Sequence, residues 1–180
     1  MKRILITGGF GYIGSHFVIK IIENGYLPMI IDNNKNIISL VENIKKIGDI
    51  TSILYYTIDM CNLHDLEEVF IKNHIDIVVH FAALKSVSDS IKNPSEYYYN
   101  NLNSTTNLLL LMNKYKCTKL IFSSSATIYG NLTPPFTENM KSNNLTNPYG
   151  MTKKLIEDIL EDNCKYNKNF KTISLRYFNP

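Results

Sequence analysis

The chain has no tryptophan, only three cysteines in 180 residues, no long apolar run and little excess charge of either sign. Each shortage removes a class of protein. Cys61, Cys117 and Cys164 are odd in number and far apart, which fits neither a disulfide framework nor a metal knuckle and leads to the expectation of a reduced, cytoplasmic setting. A net charge of +3, with the lysines scattered, offers no basic stripe for nucleic acid. No window approaches the ~20 apolar residues of a membrane-spanning helix, so no membrane partner is expected. The N-terminal apolar run is broken by glycine too early for a secretory signal. His16, His64, His74 and His80 show no metal-ligand spacing, so no metal is expected, and His80 reads as a hydrogen-bonded residue at a strand end.

What is present is 44% apolar residues, enough for one substantial core but too short a chain for two ordinary domains. Half of the eight glycines fall between residues 8 and 14. They follow a β-branched apolar run at 4–7 and precede helical periodicity over 12–24. Gly9, Gly11 and Gly14 satisfy G-x-G-x-x-G; Gly8, Gly11 and Gly14 satisfy the looser G-x-x-G-x-x-G. Residues without Cβ let helix N-terminal amides approach a pyrophosphate closely, so the pattern points to a dinucleotide. A second apolar strand ends at Asp32, whose carboxylate suits a ribose 2′-hydroxyl and repels a 2′-phosphate, which favours NAD. Lys35 is the nearest cation and leaves NADP open.

Strand and helix patterns alternate down the rest of the chain. Strands are expected at 27–31, 53–58, 75–81, 120–123 and 172–178, and helices at 37–47, 62–73, 96–115 and 149–166. A polar segment at 85–95 and a loop at 131–147 separate them. Nearly continuous apolar strands between amphipathic helices predict an α/β fold, a doubly wound parallel sheet of the Rossmann kind with helices on both faces. Ligands of such sheets bind beyond the carboxyl ends of the strands, where Gly8, Gly11, Asp32, Asp59, Ala82, Ala83, Lys85, the serines 123–125 and Asn179 fall.

Tyr149 and Lys153, four apart on a helix opened by Asn147-Pro148, share one face. An ammonium beside a phenol is expected to lower the phenol pKa and make a general base near neutral pH. One serine of 123–125 would hold the reacting oxygen against it, and spacing does not choose which.

The stretches Thr7-Gly8-Gly9-Phe10-Gly11-Tyr12-Ile13-Gly14-Ser15-His16, His80-Phe81-Ala82-Ala83-Leu84-Lys85, Tyr98-Tyr99-Asn100-Asn101, Phe122-Ser123-Ser124-Ser125-Ala126-Thr127-Ile128-Tyr129-Gly130, Pro148-Tyr149-Gly150-Met151-Thr152-Lys153 and Arg176-Tyr177-Phe178-Asn179-Pro180 together resemble the extended short-chain dehydrogenases/reductases. Within them, the chain is similar to the branch that inverts C4 of UDP-hexoses. The resemblance implies Ser125, Tyr149 and Lys153 as the catalytic set. It implies NAD contacts at Gly8, Gly11, Tyr12, Ile13, Gly14, Asp32, Asn33, Asp59, Met60, Phe81, Ala82, Ala83, Lys85, Asn100, Tyr149, Lys153 and Phe178. It implies substrate contacts at Lys85, Ser125, Tyr149 and Asn179. The implied reaction interconverts UDP-glucose and UDP-galactose: Tyr149 takes the proton of the sugar 4-hydroxyl, hydride passes from C4 to bound NAD, and hydride returns to the other face. Family members also dimerise through the long helices. They are nearly twice as long, so the expectation is a cofactor domain at 1–180 without the C-terminal substrate domain, with little turnover alone. No Asp-Glu pair stands at Ser125-Ala126, which argues against a dehydratase. A related decarboxylase or uronate epimerase, and a non-catalytic NAD-binding module, stay open.

Overall fold

A strand that is apolar at every position, not at alternate ones, must be covered on both faces, and Ile4, Leu5 and Ile6 make Arg3–Thr7 such a strand. In the computed structural model, which describes residues 2–34, 37–48, 53–140 and 144–178, this strand, β1, lies inside a six-stranded parallel sheet. The other strands are β2 (Leu27–Asp32), β3 (Leu54–Thr57), β4 (Ile77–His80), β5 (Lys119–Ser125) and β6 (Lys171–Tyr177). The helices are α1 (Tyr12–Glu23), α2 (Ile37–Gly48), α3 (Leu63–Lys72), α4 (Val87–Lys92), α5 (Pro94–Lys114) and α6 (Pro148–Tyr166). The sheet runs β3-β2-β1-β4-β5-β6, so chain direction across it reverses between β1 and β4. That reversal opens the crevice in which doubly wound sheets bind ligands.

Two cores confirm helices on both faces. On one face Leu5, Met29, Ile31, Val78, Leu120 and Phe122 pack against Leu66, Val69 and Phe70 of α3, Leu108, Leu111 and Met112 of α5, and Ile156 and Leu160 of α6. On the other, Ile4, Ile6, Ile30 and Val79 pack against Val18 and Ile21 of α1 and Val41 and Ile44 of α2. The side chains of Ile37 and Ile47, expected to join this second core, lie outside the described residues. Pro28 costs no hydrogen bond to β3, because β3 begins opposite the next residue, Met29.

The structure departs from the sequence expectations at element ends. The polar segment 85–95 contains α4, which at six residues is too short to show amphipathic periodicity. Its one local signal is Ser86, whose hydroxyl caps the helix by accepting from the Asp89 amide. β5 continues through all three serines because β6 pairs with it as far as Ser125 opposite Tyr177. A 3-10 turn at Ala126–Tyr129 follows, which no periodicity announces.

The turn after β1 rests directly on the turn after β4. Gly8 has φ +68°, and a Cβ there would lie 2.7 Å from the Ala82 backbone nitrogen. Gly25 has a similar φ of +75° but open space around it. Gly25→Ala is expected to cost about 1 kcal/mol from backbone strain. Gly8→Ala, which adds a backbone clash, should cost roughly 3 kcal/mol or more. Urea denaturation of the two variants measures the difference, and equal losses would contradict the close approach.

Candidate active site

A cavity of about 590 Å³ crosses the carboxyl ends of the strands over the β1/β4 reversal. Its middle is the glycine turn. Gly8, Gly11 and Gly14 line it with Tyr12 and Ile13, whereas Gly9 does not: a Cβ there would meet the Ile30 side chain at 2.7 Å, so Gly9 serves packing on the sheet. Of the two glycine registers open in the sequence, the structure brings Gly8, Gly11 and Gly14 to the cavity. At Gly14 a Cβ would fall 2.2 Å from the Gly8 carbonyl oxygen, so α1 starts with backbone against backbone. A cradle this tight fits a pyrophosphate that binds to amides.

Asp32, Asn33, Asp59 and Met60 line the β2–β3 end. The Asp32 carboxylate accepts from the Phe10 amide at 3.0 Å and the Asn34 amide at 3.0 Å, so it also braces the glycine turn. Asp59 accepts from the Cys61 amide at 2.9 Å. Phe81, Ala82, Ala83, Lys85 and Asn100 line the middle. Ser125, Tyr149, Lys153 and Phe178 line the β5–β6 end. Every sequence-predicted site residue within the described residues therefore borders one cavity. Asn179, expected to touch substrate, and Lys35, the cation beside Asp32, lie outside the described residues. Among the described residues no cluster of His, Cys, Asp or Glu is arranged to hold a metal. No helix of the described residues is long and apolar enough to cross a membrane.

The catalytic-type groups sit where α6 meets β5. The Asn147 side chain accepts from the Gly150 amide at 2.7 Å and Pro148 begins the helix, which fixes where Tyr149 emerges. One turn on, Lys153 is 2% exposed; its ammonium donates to the Ser123 carbonyl at 2.8 Å and lies 4.8 Å from the Phe122 ring centroid. Its other two ammonium protons have no partner among the described residues. Burial pushes the Lys153 pKa down to about 7. The phenol moves opposite to the sequence expectation. Burial raises the Tyr149 pKa, Tyr97 adds to the rise, and the Ser125 hydroxyl opposes it. The physical reason is that the phenol is buried while Lys153 points at Ser123, with its nitrogen 5.8 Å from the Tyr149 ring centroid, so burial outweighs the ammonium.

The three serines are now distinguishable. Ser123 contributes a carbonyl to Lys153. Ser124 donates to Glu157 on α6. Ser125 accepts from both the Thr127 amide and the Thr127 hydroxyl, at 3.2 and 3.0 Å, which leaves its own proton to donate into the cavity. Thr127 is a site residue that sequence reasoning missed; its adjacency to the serine cluster was the only signal.

A buried polar chain joins the glycine turn to α6. The Ala82 amide donates to the Thr7 hydroxyl, which lies 2.6 Å from His80 Nδ1, while His80 Nε2 lies 3.0 Å from the Thr105 hydroxyl. Thr105 donates its one proton to the Asn101 carbonyl, so it must accept from His80. Proton inventory thus assigns the neutral Nε2–H tautomer. The Asn101 side chain spends both amide protons, on the Leu84 carbonyl and the Thr152 hydroxyl, and accepts from the Leu84 amide. Thr152 in turn donates to the Tyr149 carbonyl.

The profile of the NAD dependent epimerase/dehydratase family matches residues 4–180. The chain belongs to that family. It is 49% identical to UDP-glucose 4-epimerase of Dictyostelium discoideum over 99% of its own length and 52% of that protein's. It superposes with a TM-score of 0.94 and 39% identity on UDP-glucose 4-epimerase of Bifidobacterium longum in complex with NAD+ and UDP, covering 99% of this chain and 54% of that one. A UDP-Glc/GlcNAc 4-epimerase from Campylobacter jejuni gives 0.91 at 33% identity, with coverages of 99% and 54%. The chain spans about half the length of the curated relatives it matches.

Burial, with a further push from the Lys153 charge, lowers the His80 pKa to about 3 from the usual 6.5. In acid the unfolded chain therefore takes up this proton before the folded one, and the His80 contribution to stability, complete above pH 6.5, declines as pH falls toward 3. Wild type should lose stability faster between pH 6.5 and pH 4 than a His80→Asn variant, measured by urea denaturation at each pH. Parallel profiles would contradict the buried neutral assignment.

Proposed function

We propose that residues 1–180 form the NAD-binding domain and catalytic half of a UDP-hexose 4-epimerase, interconverting UDP-glucose and UDP-galactose in galactose metabolism. The observation that carries this reading is the buried Lys153 one turn from Tyr149, at the end of a cavity that begins on the Gly8–Gly14 cradle. The relatives named UDP-glucose 4-epimerase support it.

The residues fit NAD end to end. Amides of the glycine turn and the α1 N-terminus would hold the pyrophosphate, and the Asp32 carboxylate, with lone pairs beyond those used by Phe10 and Asn34, an adenosine ribose hydroxyl. The two uncommitted Lys153 protons suit the other ribose. When bound, NAD supplies the acceptor for hydride leaving sugar C4 and the donor for its return. Tyr149 takes and returns the proton of the 4-hydroxyl. Ser125 donates its remaining proton to the same oxygen and holds it against the phenol. Because burial raises the phenol pKa, the base depends on the positive charge of Lys153 gathered beside it as the site fills. The reading carries with it a cytoplasmic setting, supported by three free cysteines, and a homodimer, supported by the exposed Tyr99 and Leu110 on one face of α5.

The test joins residues 1–180 to the remaining length of the Dictyostelium protein and follows conversion of UDP-galactose to UDP-glucose, with UDP-N-acetylgalactosamine as a second substrate. Conversion is expected, and Tyr149→Phe should reduce it by about 10²–10⁴-fold. A chimera that binds NAD and converts neither sugar would make the chain a non-catalytic module, and full activity in Tyr149→Phe would remove the assigned base.

A further inference from the structure

Phe178 follows the end of β6 on the cavity wall with 63% of its surface exposed, yet its ring is not unsupported. It lies 6.0 Å from the Tyr129 ring and 5.9 Å from the Phe136 ring, at interplanar angles of 27° and 28°. Tyr129 and Phe136 are themselves stacked at 4.6 Å and 8°. The three rings form one cluster in which each touches the other two, arrangements that aromatic quadrupoles favour when offset.

Two of the rings have different footings. Tyr129 is buried, and its hydroxyl accepts from Arg176 at 3.0 Å while the same guanidinium lies 5.2 Å from the ring centroid. Arg176 is held in turn by both oxygens of Glu157, at 3.1 and 2.8 Å. Phe136 comes from the stretch 131–140, which contains no helix or strand and is tied back through the Glu138 carbonyl to Arg176 at 2.9 Å. Phe136 is not among the residues that line the cavity, and its position in a Pro-rich loop gave no sequence signal.

We propose that Phe136 is a positioning residue for the nicotinamide end of the cofactor site: clamped on Tyr129, it holds the Phe178 ring as a fixed flat wall beside Tyr149. This rests on the NAD reading. With the adenosine at Asp32 and the pyrophosphate on the glycine turn, the nicotinamide falls at the β5–β6 end, where Phe178 and Tyr149 both border the cavity. Without Phe136 the exposed Phe178 keeps one ring neighbour of two and turns more freely, and ordering it again weakens binding of whatever lies against it.

The experiment titrates the 180-residue protein with NAD and, separately, with ADP-ribose, which lacks the nicotinamide. Phe136→Ala should weaken NAD by roughly 3- to 10-fold and leave ADP-ribose unchanged. Phe136→Tyr, which keeps the stacked ring, should restore NAD affinity, a rescue that a general folding defect would not show. Equal weakening of both ligands, or weakening of neither, would overturn the proposal. Wild-type protein that binds neither ligand would overturn the cofactor reading, and this one with it.

Discussion

Two stretches of backbone touch with no room for a carbon atom between them, and the site depends on that contact. Gly8 sits in a left-handed conformation against Ala82, and Gly14 against the Gly8 carbonyl. The turns after β1 and β4 are thereby stacked at the point where the sheet reverses, and α1 begins where its free amides open onto the cavity. The same stacking brings the Ala82 amide over the Thr7 hydroxyl and Thr7 against His80. The steric requirement for glycine and the buried hydrogen-bond chain are two views of one contact.

α5 carries that order to the rest of the cavity. Its buried face is polar in the middle, with Asn101, Ser104, Thr105 and Asn107 all shielded from solvent, although a helix over a sheet would ordinarily present leucine there. Burying such groups is costly unless each finds a partner. Asn107 donates to the Met60 and Cys61 carbonyls beyond β3, Thr105 receives His80 of β4, and Asn101 spans the loop at Leu84 and Thr152 of α6. One helix thus sets the spacing of three cavity-lining segments. Arg176 does comparable work at the other end, joining Glu157 of α6, Tyr129 of the 3-10 turn and the Glu138 carbonyl.

The alternation of strands and helices was legible because each parallel strand is a short apolar run between amphipathic or polar stretches. So was much of the cavity rim, since strand ends in such a fold converge by topology, whereas Met60, Phe81, Asn100 and Phe178 were expected only from the family resemblance. Partners were not legible. The i, i+4 spacing of Tyr149 and Lys153 predicted a shared face, but the pull of the Ser123 carbonyl on Lys153, and the burial that raises the phenol pKa, arise from β5 packing under α6. Likewise the three consecutive serines differ in their partners through the 3-10 turn, which places Thr127 on Ser125, and through Glu157, which takes Ser124. The small and polar residues in the first half of α5 were as visible as the leucines in its second, but that polar face has meaning only against the loops it meets.

The central claim is an orientation: a dinucleotide lies along the strand ends with its adenosine over β2 and β3 and its reactive ring at Tyr149. Nuclear Overhauser effects from protons of bound NAD to assigned side chains measure it most directly. The account predicts effects from the nicotinamide ring to Tyr149 and Phe178 and from the adenine ring to Met60. Adenine effects at Tyr149, or nicotinamide effects at Met60, would contradict it.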